Sequence, residues 1–153
     1  MDNTTTSPPT VEDTTTDHTS DLAEIERLIT DIETGFNTND ADLAVEHFTQ
    51  NATAVSVAGV LVTGRDALTE VHRSQFAGPL SDQHARYALG DIAFLRPDVA
   101  VAHKLAWATD AEGELVDVDH AMIAVYVFVR EDGRWWVAAR QNTLVPSAAA
   151  PPR

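Results

Sequence analysis

Among the side chains able to move a proton, His72 stands out. It shares one side of a helical pattern with Leu68 and Val71, so it points toward a core or a pocket. An imidazole there has two readings. It is a general base or ligand hydrogen bond, because modest changes in surroundings carry a histidine across neutral pH. Otherwise it is a core histidine tied to a backbone carbonyl. His103 shares a strand face with Val101, Leu105 and Trp107, which makes it either a second pocket histidine or part of an outer seam. His120 shares a strand face with Met122 and Tyr126, while Asp117 and Asp119 fall on the opposite face unless a bulge intervenes. His18 lies in a polar tail and His84 at the start of a strand, so neither is counted as a site residue. The spacings contain no His-x₃-His on one helix and no tight carboxylate cluster, and no metal is expected.

These residues need a frame, and the most informative part of it is Gly133-Arg134-Trp135-Trp136-Val137-Ala138-Ala139-Arg140-Gln141-Asn142-Thr143. Asp132-Gly133 between two alternating apolar runs is a hairpin signal, since the turns that suit strand twist require positive φ. A two-residue turn pairs Glu131 with Arg134. Strict alternation then puts Met122, Ala124, Tyr126 and Phe128 on the face that carries Trp135, Val137, Ala139, Gln141 and Thr143. That face starts apolar and ends in amides, as the wall of a partly closed pocket would. On this count Gln141 orients a ligand or satisfies the rim, Tyr126 and Trp107 line the pocket or serve as core, and Asn142 and Arg140 face outward. Arg140 is then read as an interface ion-pair residue.

The other face of the hairpin carries Ile123, Val125, Val127 and Val129 with Trp136 and Ala138. A sheet covered on one side should be polar on the other, so this face is expected to be a homodimer surface.

The chain has 153 residues, 44% of them hydrophobic, which suits one core. Residues 1–19, rich in Thr, Asp, Ser and Pro, and the Ala-Pro-rich 147–153 read as disordered tails around a domain at 20–146. Asp21 and Glu24 have capping-box spacing ahead of an apolar stripe of Leu22, Ile25, Ile29, Ile32 and Phe36. Asn39 or Asp40 can cap a short second helix with Leu43, Ala44, His47 and Phe48. A strand at 52–57, a bend at 59–64 and a third helix over 65–76 come next. Long strands are expected over 84–95, 99–109, 115–129 and 135–145. Helices first and a meander afterwards indicate an α+β fold.

A net charge of −14 disfavours nucleic acid as a partner, since phosphate binding depends on clustered basic residues. Lys104 is the only lysine. The absence of cysteine removes disulfides and thiolate sites. No apolar run reaches membrane length and the first residues lack a signal pattern, so no membrane partner is expected and a cytoplasmic location is the default.

Several stretches together resemble the NTF2-like superfamily. They are the bend at 60–64, the helix Ala67-Leu68-Thr69-Glu70-Val71-His72-Arg73-Ser74-Gln75-Phe76-Ala77-Gly78-Pro79-Leu80, the turn Leu95-Arg96-Pro97-Asp98-Val99-Ala100, Asp132-Gly133-Arg134-Trp135 and Gln141-Asn142-Thr143. The likeness runs from about residue 21 to 145 and is nearest to the SnoaL-like, SgcJ/EcaC-type group. It implies an NTF2-like cone, with three N-terminal helices packed on a strongly curved antiparallel sheet around an apolar pocket, commonly as a homodimer. It also implies relatives that turn over hydrophobic substrates without a cofactor, such as ketosteroid isomerase, scytalone dehydratase and polyketide cyclases, beside others that only bind.

Proton transfer next to a carbonyl needs a base in an apolar pocket and donors for the enolate oxygen. Gln141 and Asn142 stand where an acid might have served, so no Asp base carries over and His72 is the substitute. The expectation is a pocket for a hydrophobic small molecule formed by His72, Gln141, Tyr126, Trp107, His103, His120 and Met122. It acts either as a cofactor-free cyclase, isomerase or dehydratase of polyketide biosynthesis or as a non-catalytic accessory module. That group is also associated with oxidoreductases, yet no dinucleotide glycine fingerprint follows a strand and no cysteine pair exists here.

Overall fold

A computed structural model describes residues 6–146. The apolar spacing of the N-terminal half produces helix α1 (Thr19–Asn37), whose Ile25, Leu28, Ile29 and Ile32 are buried on one stripe. Leu22, placed on that stripe by spacing, is 39% exposed. Asp40 caps the short α2 (Ala41–Val45) by accepting the Leu43 N–H at 3.0 Å. Next come β1 (Phe48–Val55), β2 (Leu61–Thr63) and α3 (Arg65–Ala77). The C-terminal half supplies β3 (His84–Leu89), β4 (Ala93–Arg96), β5 (Val99–Thr109), β6 (Met122–Glu131) and β7 (Arg134–Leu144).

These strands form one seven-stranded sheet in the order β2-β1-β7-β6-β5-β3, with β4 continuing the β3 edge along β5. Every pairing is antiparallel except β1 on β7, which is parallel because the helical segment intervenes between the hairpin strands and their neighbour in space. The three helices cover the inner face, giving the α+β cone. Two strands are shorter than spacing suggests. The expected strand over 84–95 breaks between β3 and β4 at Gly90, and the expected strand over 115–129 starts only at Met122. The segment before it is a loop tied to β5 by a Thr109–Leu115 bridge and by backbone hydrogen bonds of Val116 and Ala121 to Ala108 and Ala106. No described helix is long and apolar enough to cross a membrane.

The Asp132-Gly133 turn has φ of 52° and 78°, the positive pair that a two-residue hairpin with right-handed twist requires, and Glu131 pairs with Arg134 as counted. The closed end of the cone is built on the start of β7, just past this turn. Trp135, 1% exposed, packs with Phe48, Phe128 and Val137. Asp21 and Glu24 do not form a capping box. Asp21 accepts the Trp135 indole N–H at 2.8 Å and Glu24 accepts its backbone N–H, so both carboxylates satisfy the buried strand rather than their own helix end.

The N-terminal boundary also differs from the composition-based one. Asp13 donates its N–H to the Phe94 carbonyl at 2.8 Å. His18 stacks on the Phe94 ring at 3.7 Å between centroids and is held by Asp13 and Asp21, each at 2.7 Å. The ordered body therefore reaches back to Asp13, because His18 gives an otherwise polar segment something to bury and two charges to pair. Burial opposes the charged ring, but the Asp21 and Asp13 hydrogen bonds outweigh it and raise the His18 pKa. Of the tails expected at 1–19 and 147–153, residues 1–5 and 147–153 lie outside the described residues.

Gly35 marks the tightest helix contact. A Cβ there would stand 2.6 Å from the Ala44 backbone nitrogen, so α1 and α2 approach as they do only because that atom is missing. Helix propensity alone favours Gly35→Ala by about 1 kcal/mol. The contact predicts the reverse, a loss of about 1–3 kcal/mol from overpacking, measured by urea unfolding. A more stable variant would show that the contact yields freely.

Candidate functional site

The position of the site is set by one extra residue. β6 and β7 pair Val127 with Ala139 but Phe128 with Val137, so Ala138 is a bulge that opposes nothing. Before it, Trp135 and Val137 point inward. After it the alternation is reversed, and Arg140 faces Tyr126 while Asn142 faces Ala124 across the hairpin. Arg140 is 9% exposed and lies inside the cone; Gln141 and Thr143 are exposed on the outer face. This corrects the expectation that Gln141 faces a ligand and that Arg140 and Asn142 face out. Strict alternation holds only as far as the bulge.

Inside the open half of the cone is a cavity of about 450 Å³, within the range of small-molecule pockets. Its volume comes from small side chains. Along β5 the inward positions are Ala102, Lys104, Ala106 and Ala108, while Val101, His103, Leu105 and Trp107 alternate to the other side. Ala54, Ala85 and Ala121 enlarge the same space, and Phe36, Leu68, Phe76 and Met122 give it apolar walls. A larger groove on the surface, lined by Asp40, Asp42, Glu46, Asp66 and Glu70, is open and polar and lacks such walls.

Polar side chains also enter the lining: Ser56, Gln75, Gln83 and His84, together with Lys104, Arg140 and Asn142. Lys104, 2% exposed, places its ammonium 3.7 Å from the centre of the Tyr87 ring and 3.4 Å from the Tyr126 hydroxyl. Arg140 carries its guanidinium carbon 5.2 Å from the Phe48 ring centre. Among the described residues neither cation has a carboxylate within 4 Å, and no Asp or Glu side chain lines the cavity. Glu33, the nearest by its influence, is occupied by the Tyr87 N–H at 2.6 Å. Two buried atoms are left without partners among the described residues, Arg140 Nε and Asn142 Oδ1. Natural interiors leave few such atoms, and both belong to side chains that line the cavity, although the atoms themselves are enclosed.

His72 is where the helix spacing puts it, on α3 with Leu68 and Phe76, buried and lining the cavity. Its Nδ1–H donates to the Leu68 carbonyl at 2.8 Å, which fixes the tautomer and leaves the Nε2 lone pair free. Burial, reinforced by the nearby Arg140 charge and only partly offset by the Leu68 carbonyl, brings its pKa down to about 4. Lys104 is also shifted down, first by burial and then by Arg140, against the pull of Tyr126. Burial raises the Tyr87 phenol. Tyr126 moves the other way, because the charges of Lys104 and Arg140 overcome its burial.

The remaining expected residues divide. Met122 lines the cavity; Tyr126 does not, being fully buried behind Lys104, whose ammonium lies 3.4 Å from its hydroxyl. Trp107 reaches only the rim, where its indole donates to the Val118 carbonyl and its ring meets His120 edge-on. His103 is exposed on the outer face opposite Val125, since β5 turns its larger residues outward. His120 sits in the loop before β6 outside the cavity wall and has no bond to Asp117 or Asp119. His47 lies elsewhere, between Asp31 at 2.7 Å and Arg134 at 2.8 Å. Among the described residues no three His, Cys, Asp or Glu side chains gather as a metal would need. Spacing does not pick out Lys104, Arg140, Asn142 or Tyr87 as pocket residues, and His84, discounted as the start of a strand, lines the cavity as well. The available signal is a lone lysine in an alanine-rich alternating strand.

A curved sheet closed over helices around a cavity with apolar walls defines an NTF2-like cone. The chain belongs to the SnoaL-like domain family, whose profile matches residues 17–141. Solved structures share the fold. A domain of unknown function with a cystatin-like fold from Nostoc punctiforme superposes with a TM-score of 0.74 at 14% identity, over 85% of this chain and 80% of that one. A ketosteroid isomerase-like protein from Erwinia carotovora atroseptica gives 0.66 at 19% identity, covering 84% and 98%. A scytalone dehydratase candidate from Novosphingobium aromaticivorans gives 0.64 at 15%, covering 88% and 90%. A comparison with curated proteins gives no significant match.

The His72 shift has a consequence for stability. Between about pH 6.5 and 4 the unfolded chain binds a proton that the folded chain refuses. Stability attributable to this group is therefore lost as pH falls through that window, on the order of 3 kcal/mol in all. His72→Gln should flatten that part of the pH–stability curve, measured by urea unfolding at several pH values; identical curves for both proteins would contradict the assignment.

Proposed function

We propose that the cavity takes a hydrophobic small molecule carrying a carbonyl and acts on it by cofactor-free proton transfer, as an isomerase, cyclase or dehydratase. The observation that carries this is the buried Arg140 on the cavity wall, near Lys104 and Tyr126 and without a carboxylate partner among the described residues. Such donors stabilise an oxygen that gains negative charge, and in a water-poor site they act more strongly than in water. His72 holds a free Nε2 lone pair at neutral pH, on the wall of the same cavity. A base with a pKa near 4 is weak in the empty site, and an enolate forming beside it would raise that value. The likeness to SgcJ/EcaC-type proteins supports a polyketide-type substrate.

A second reading, a non-catalytic binding or accessory module, is favoured by one observation: no carboxylate among the described residues lines the cavity, so the base on its wall is a strongly depressed imidazole.

Deuterium exchange at the α-carbon of 2-tetralone, an enolisable apolar ketone, separates these readings. Wild type should exchange above the buffer rate, and His72→Gln and Arg140→Met should each reduce the rate at least tenfold, within the range of one acid–base or oxyanion group. Binding without exchange would select the accessory role. Neither binding nor exchange would overturn the cavity reading.

We also propose a homodimer through the outer face of β5, β6 and β7. Val101, Leu105, Ile123, Val125, Val127 and Trp136 are all only half-buried there in the single chain. Light scattering at micromolar concentration should give twice the 16.6 kDa chain mass; a monomer would rule this out.

A further inference from the structure

Lys104 carries an inference of its own, which rests on the cavity reading above but not on turnover by His72. The side chain is the chain's only lysine and is 2% exposed. It ends in an apolar cavity wide enough for a bicyclic molecule. A buried ammonium normally keeps a carboxylate partner, since the cost of removing one from water is several kcal/mol. Here the groups facing the amine are the Tyr87 ring at 3.7 Å, the Tyr126 hydroxyl at 3.4 Å, the Arg140 guanidinium from β7 and, more distantly, Glu33 from α1, whose carboxylate is held by the Tyr87 N–H. His72 faces the same cavity from α3.

We propose that Lys104 is a nucleophile that forms an imine with aldehyde or ketone ligands in this cavity. A lysine buried in apolar surroundings next to a second cation loses its proton readily, and a neutral amine is the form that attacks a carbonyl. Both influences act on Lys104, burial first and Arg140 second, and both lower its pKa. The amine lone pair forms a C–N bond to the carbonyl carbon while the carbonyl π pair moves onto oxygen. That oxygen gains its charge in the cavity that the Arg140 side chain also lines. A proton passes from nitrogen to the oxygen, a second protonation breaks the C–O bond, and water leaves. An iminium carbon remains on Lys104. No oxidant or reductant is consumed. The iminium also withdraws electrons from the α-carbon, where the neutral His72 lone pair can accept a proton.

Such an adduct can be trapped and located without ambiguity, because besides Lys104 the chain offers only its N-terminal amine. The full chain is incubated at pH 7 with 2-naphthaldehyde and sodium cyanoborohydride, and the product is digested and mapped by mass spectrometry. One adduct should form, on Lys104. It should form at least tenfold faster in the folded protein than in the chain unfolded by urea, where the same lysine has an ordinary pKa and is almost wholly protonated. Lys104→Arg should lose the adduct while still binding 2-naphthol, a molecule of similar size without a carbonyl. Labelling confined to the N-terminus, or labelling of Lys104 no faster when folded, would overturn the proposal. If wild type binds 2-naphthol yet forms no adduct, the cavity reading survives and the imine does not. If it binds neither compound, both fail together. The wild-type mapping decides the matter even if Lys104→Arg does not fold.

Discussion

A guanidinium cannot shed its proton inside a protein, and this constrains everything around Arg140. Burial of an ion costs several kcal/mol after all relaxation, and the usual remedies are a partner carboxylate or neutralisation. Arg140 has neither in this fold: among the described residues no carboxylate lies within reach, and its Nε lacks any acceptor. Its neighbours adapt instead. Lys104 is driven toward the neutral amine, His72 is held neutral, and the Tyr126 phenol is drawn toward ionisation. Burial is the largest influence on Lys104 and His72, with Arg140 reinforcing it, while the charges of Lys104 and Arg140 together overcome the burial of Tyr126. The cavity is left with a deficit of negative charge.

The rest of the molecule divides according to that deficit. Toward the β6–β7 turn the cone is filled by Trp135, Phe48, Phe128, Ile25 and Val137, and its polar atoms are satisfied by Asp21 and Glu24. Toward the other end alanines replace aromatics along β5, and volume is left over. Interiors pack at crystal-like density unless something prevents it. Here the short side chains facing one another across the sheet and α3 prevent it. The stable end supplies the energy that lets the open end carry stranded polar atoms, which is the usual relation between a scaffold and a site.

Much of this organisation was legible in the chain. The helical stripe around Ile25 to Ile32, the Asp40 cap, the Asp132-Gly133 turn and its Glu131–Arg134 register are local signals, and local geometry determines them. His72 was legible because helix spacing is tolerant of small errors. The strand residues were less so, for two physical reasons. A strand has a period of two, so the single bulge at Ala138 moves Gln141 out and Arg140 in. And on β5 the larger residues face out, against the rule that bulk marks the core. Val101 and Leu105 therefore left His103 open between pocket and outer seam, and nothing in the alternation singled out Lys104. The anchoring of His18 was hidden for another reason: its value depends on Phe94, a partner 76 positions away that spacing cannot pair with it.

The contrast between the inside and the outside narrows what the cavity can receive. The chain as a whole carries a formal charge of −14, and a field of that sign lowers the local concentration of small anions and slows their arrival. The floor of the cavity, with Arg140 permanently charged, favours the opposite sign. A ligand that is already an anion meets the first field before the second. A neutral carbonyl compound meets no such barrier, and it acquires negative charge on oxygen only after it has entered, by losing an α-proton or by attack at its carbon. Both events create charge where Arg140 and Tyr126 stand, and an interaction that strengthens only as the reaction proceeds lowers a barrier rather than merely tightening binding. The acidic exterior and the cationic interior together thus fit a neutral substrate whose charge develops inside better than a ready-made anion held at rest.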